Sequence, residues 1–138
     1  MRRAAVLLLL APFACGRSEP GADPDAPAVE AAYGERFDLS LGERADVGGF
    51  RVVFARVAED SRCPQEGRCV QAGNAAAAFA VESDAGSATL TLHTDREPRR
   101  AAAVGHALRL IELRPRPVEG VLPDSAAYEA TLVVEPEH

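Results

Sequence analysis

Hydrophobic and polar positions alternate with a period of two along most of the chain beyond Tyr33, and helical spacing is nearly absent. Phe37-Asp38-Leu39-Ser40-Leu41 has the pattern of a half-buried strand. Gly42 to Gly49 reads as a polar loop ending in Gly48-Gly49. Phe50 to Val57 is the longest run of β-branched and aromatic residues and is apolar on both faces toward its centre, which predicts a central strand. Ala75 to Val81 places Phe79 and Val81 on one face. Asp84-Ala85-Gly86-Ser87 is a turn, and Thr89 to Thr94 alternates again, so these three segments predict a hairpin. Ala107 to Leu113 and Tyr128 to Val134 are two further strands, the second with Tyr128, Ala130, Leu132 and Val134 on a single face.

Two segments carry competing signals. Asn74-Ala75-Ala76-Ala77-Ala78 has strong helix propensity behind an N-cap residue, but its place between a cysteine loop and a hairpin turn favours a strand. Pro98 to Val104 reads as a helical turn, with Pro98 near its first position and Gly105 as its C-cap. The pattern therefore predicts an all-β fold: a single small antiparallel β-sandwich or open barrel of about six to seven strands, with at most one short helix.

The start of the chain is different in kind. Met1-Arg2-Arg3 is cationic, Ala4 to Phe13 is apolar apart from Pro12, and Ala14-Cys15-Gly16 follows. Residues 1–14 have the form of a signal peptide and are too short to span a bilayer as a helix. The cysteine at the junction resembles a bacterial lipoprotein signal, which implies acylation of Cys15. Pro12 and Phe13 stand where that signal usually carries Leu and a small residue. The alternative is an ordinary signal cut near Ala14, which would leave Cys15 as an odd thiol in an oxidising compartment. After Cys15, Gly16 to Ala32 is rich in Pro, Gly and acids, without apolar periodicity. It predicts an extended or disordered tether reaching up to roughly 50 Å. The expected organisation is a signal at 1–14, lipidated Cys15 plus tether at 15–32, and a β-domain at 33–138.

Charge narrows the partners. The chain carries 15 basic residues, all arginine, and 21 acidic ones, for a net charge of −6. Loss of Arg2 and Arg3 with the signal would take this to −8. A net acidic domain argues against nucleic acid and against adhesion to anionic lipid, leaving the N-terminal lipid as the one membrane contact. Tryptophan is absent, which weakens any sugar-stacking role.

Candidate chemistry concentrates at residues 60–75. Cys63 and Cys69 enclose Pro64 and Gly67, both turn formers. A disulfide here closes a ring short enough to contribute about 2.4 kcal/mol by chain entropy. The competing reading is metal, with His93 or His106 joining the thiolates, but zinc sites usually space thiolates more closely. No cofactor and no metal site is assigned. Asp60, Ser61, Arg62, Pro64 and Arg68 form the candidate interaction loop. The plainer reading has Asp60 and Ser61 capping the turn and Arg62 pairing with a nearby acid. Ser61 as a nucleophile would need His93, His106 or His138 as base, and none of these lies in a recognised motif. Arg99-Arg100 with Arg96, and Arg114 with Arg116, are two basic clusters that suit either an acidic partner, a glycan phosphate or plain solvation. Asp23-Pro24-Asp25 lacks the spacing of a calcium loop.

Asp60-Ser61-Arg62-Cys63-Pro64, then Cys69 and Ala72-Gly73-Asn74-Ala75, resembles a signature in a group of small bacterial exported proteins. Many of these carry lipoprotein signals and have no assigned activity. The resemblance implies a secreted all-β domain with a bridged loop and implies no reaction. The functional expectation is an envelope-anchored binding or interaction lipoprotein without catalysis, facing the periplasm from the outer membrane or lying at the cell surface. Its partner would be an envelope protein or ligand. The alternatives are an inhibitor of a secreted hydrolase acting through the Cys63–Cys69 loop, and a periplasmic metal-handling protein.

Overall fold

Alternation along each strand buries one face, and two such faces must meet to form a core. In the computed structural model, which describes residues 27–138, they meet as two stacked sheets. The expected signal segment, Cys15 and most of the expected tether lie outside the described residues.

The first sheet has five strands in the order β1 (Val29–Glu30), β3 (Arg44–Val47), β4 (Phe50–Asp60), β5 (Ala75–Ser83) and β6 (Gly86–His93). The second has four, in the order β2 (Arg36–Ser40), β9 (Glu129–Pro136), β8 (His106–Arg114) and β7 (Arg100–Ala103). Only β1–β3 pairs in parallel; the other pairs are antiparallel. The one helical element among the described residues is a 3₁₀ turn at Ser125–Ala127, capped by Asp124. The fold is all-β as expected, the sandwich of the two alternatives, with nine strands among the described residues where about six to seven were expected, and the sheets do not close into a barrel.

Phe50, Phe54 and Phe79 fill the core from the first sheet, with Phe54 and Phe79 directly paired across β4 and β5 and their rings 5.0 Å apart. Leu108, Leu110 and Leu132 meet them from the second sheet. The single face read from Tyr128, Ala130, Leu132 and Val134 is buried throughout. The alanine run is the start of β5, and its strand character has a packing cause. Ala75 and Ala77 face the core, while Ala76 and Ala78 are buried on the outer face between the longer cross-strand partners Glu59, His93, Arg56 and Thr91. Burial on both faces overrides helix propensity here.

Three expectations are corrected. The loop read at Gly42–Gly49 contains β3, whose Ala45 and Val47 are fully buried. Gly48 and Gly49, at φ +55° and +87°, form the two-residue turn into β4. The helical turn read at Pro98–Val104 is instead β7, paired with β8 through Val104-Gly105, both at positive φ. Four residues cannot sustain an isolated helix, whereas they can be captured by a neighbouring strand. Finally, ordered structure begins before Tyr33, because β1 joins the sheet edge beside β3.

The strand registers decide where the long loops go. Asp60 pairs with Ala75, His93 with Ala76 and Arg114 with Glu129, so the 61–74 and 115–128 loops emerge at one end of the sandwich. They touch there: the Gln65 amide donates to the Pro117 carbonyl at 3.4 Å.

Candidate functional site

Asp60 ends β4 on its core-facing side, after two bulges, near residues 55 and 58, that keep Val57 and Asp60 turned inward. An inward carboxylate is costly unless fully paired. Arg62 supplies most of the pairing: Nε donates to Asp60 Oδ1 at 2.9 Å and Nη2 to Oδ2 at 2.7 Å. The same guanidinium reaches the second sheet, with Nη1 donating to the Leu113 carbonyl at 2.6 Å and Nη2 to that of Pro115 at 2.8 Å. Tyr128, just before β9, donates its hydroxyl to Asp60 Oδ2 at 2.8 Å. The Asp60 and Arg62 side chains are only 9% and 10% exposed. Together the three residues latch one sheet to the other.

Burial alone would raise the Asp60 pKa, but hydrogen bonds from Arg62 and Tyr128 outweigh it and hold the carboxyl below its ordinary value. Burial, reinforced by the hydrogen bond to Asp60, pushes the Tyr128 phenol up to about 12. For Arg62, burial opposes the charge, but bonding to Asp60 more than compensates and keeps it firmly protonated.

Ser61 is equally committed. Its hydroxyl donates to the Asn74 carbonyl at 2.9 Å and accepts from the Asn74 amide at 3.1 Å, fastening the two ends of the loop. His93 comes to the Asn74 side chain, where Nδ2 lies 2.9 Å from His93 Nδ1, and not to the Ser61 hydroxyl. His106 lies at the opposite end, stacked between Tyr33 and Phe50. Gly73 is explained by the same closure: a Cβ there would stand 1.5 Å from the Ser61 carbonyl oxygen. Cys63 and Cys69 form a disulfide with their Cα atoms 6.0 Å apart, so neither sulfur is a free thiolate for a metal. Among the described residues no group of three or more His, Cys, Asp or Glu is placed to hold a metal ion.

The expected interaction loop thus divides. Asp60, Ser61 and Arg62 build the fold, as the plainer reading had it, and Pro64 is half-buried within the ring. Arg68 is exposed beside Gln65 and Glu66. What residue-by-residue reading missed is the second loop. Of the five large hydrophobic residues exposed among the described residues, four lie on these two loops: Val70, Val118, Val121 and Leu122. Val70 and Leu122 are almost wholly exposed, at 102% and 92%. The excess of Val and Leu between two prolines in 117–123 was the available signal.

Between the loops lies a cleft of about 300 Å³, bordered by Arg62 and Cys63 on one side, Asp95 and Arg99 on another, and Glu112 and Arg116 on a third. No protein-family model matches the chain, and no curated protein or solved structure matches it.

Proposed function

We propose that the chain is a non-catalytic binding module of the cell envelope, tethered through a lipid on Cys15, whose loop end docks an envelope protein through exposed aliphatic side chains and Arg68. The observation that carries this reading is the concentration of exposed aliphatic side chains on the 61–74 and 115–128 loops. Single exposed hydrophobics are ordinary, but clustering at one end of a sandwich is the arrangement of an interaction surface. Arg68 stands in the same loops with no ion-pair partner among the described residues, and arginine is enriched at interfaces. The latch and the disulfide limit the entropy that such loops would lose on docking.

The test is cross-linking in envelopes followed by a binding comparison with the recovered partner. Val121→Ser with Leu122→Ser, and separately Arg68→Glu, should each weaken binding at least about tenfold without changing the melting temperature. Equal binding by wild type and both variants would contradict the proposal.

A narrower reading has the bridged ring as a bait for a secreted hydrolase. Exposure of Gln65, Glu66 and Arg68 on a closed ring favours it. In that case the recovered partner is a hydrolase and its turnover falls on addition of the purified domain.

A further inference from the structure

The two basic clusters of the sequence do not act alike. In each, one arginine is consumed by the fold. Arg100 Nε donates to Glu135 Oε2 at 2.9 Å, and Arg114 pairs with Glu129 and with Asp38. The neighbour two or fewer positions away is left over: Arg99 and Arg116 have no ion pair and no side-chain hydrogen bond among the described residues. They are far apart in the chain, yet β6–β7 and β8–β9 connections bring both to the rim of one cleft. The third arginine there, Arg62, is already saturated by Asp60, Leu113 and Pro115.

The cleft also carries two acids, of which only Glu112 approaches an arginine outside it. Asp95 Oδ2 accepts from the Thr94 hydroxyl at 2.5 Å, and its amide donates to Asn74 Oδ1 at 3.2 Å. Glu112 lies 3.9 Å from Arg114 Nη1. Asp95 and Glu112 share the concavity, yet Arg99 and Arg116 make no direct ion pair with either, and an oxyanion would satisfy both guanidinium groups at once. The volume, about 300 Å³, lies at the lower bound of ligand pockets, so the occupant is small. The wall is stiff, because Cys63 belongs to the disulfide and Gly73 is pressed against Ser61.

The geometry points to a site for a small dianion, a dicarboxylate or a phosphate, held between Arg99 and Arg116. It borders the same loops but is argued from Arg99 and Arg116 and not from the exposed aliphatic residues, so it stands if the loop-end partner is never found.

The test is NMR titration of the purified domain at low salt with sodium succinate, with inorganic phosphate, and with succinamide as the neutral analogue. One or both anions should shift the Arg99 and Arg116 Nε–Hε signals and the Thr94 and Asp95 amides saturably, with a Kd of about 1 mM. Which anion binds identifies the chemistry as carboxylate or phosphate. Arg99→Gln and Arg116→Gln should each raise the Kd about tenfold, while Arg36→Gln, an exposed arginine on β2, leaves it unchanged. No saturable shift with either anion overturns the proposal. So does binding of succinamide as tight as succinate, or loss of affinity as large in Arg36→Gln as in Arg99→Gln.

Discussion

At Tyr128 a single hydroxyl joins the last strand to an inward carboxylate, and its titration exposes the bond. The phenol is raised from 10.0 to about 12 in the folded protein, so the folded state holds its proton more tightly than the unfolded chain does. Its contribution is complete below pH 10 and is lost as pH rises toward 12. Tyr128→Phe should cost about 1–2 kcal/mol at neutral pH and remove this alkaline loss, as followed by urea unfolding at several pH values. Asp60 runs the other way: its depressed pKa means that stability present above the ordinary value of 3.8 is lost as pH falls below it. Gly73→Ala should prevent folding or cost more than about 4 kcal/mol, because the atom met is backbone and cannot rotate aside. That Arg62 pairs with a nearby acid was legible from the composition of the loop, but that the acid is Asp60 was not. That Arg62 also crosses to Leu113 and Pro115 was not, because that contact depends on how two distant strand ends align.

Among the elements, long strands with strong alternation were readable and short ones were not. β3 has only Ala45 and Val47 to mark it, and β7 is an arginine followed by three alanines. Both exist because a longer neighbour supplies the hydrogen-bonding edge, which no local pattern encodes. Val104 adds to the difficulty, since a β-branched residue at φ +49° is an improbable turn former. Its carbonyl accepts from the Ser83 hydroxyl at 2.8 Å, which helps hold the turn. The bridged loop was legible from its spacing and its turn residues. Replacing Cys63 and Cys69 together by Ser should lower stability by about 2.4 kcal/mol, measured by thermal or urea unfolding against the oxidised protein. The loss should concentrate in faster amide exchange at residues 61–74.

For the whole molecule, the sandwich class followed from strand number and spacing, because two half-apolar sheets have few other ways to bury their faces. The convergence of Arg99 with Arg116, and of Val70 with the 118–122 segment, on one end followed only from topology. These are the features on which the binding proposals rest, while the signature residues that looked functional hold the sheets together. Unfolding of Arg62→Ala in urea separates the two roles most directly. With Asp60 left buried beside only Tyr128, the variant should lose about 3 kcal/mol at an unchanged m-value. A wild-type midpoint, with binding to a partner abolished, would show that Arg62 serves recognition and that the latch is not what joins the sheets.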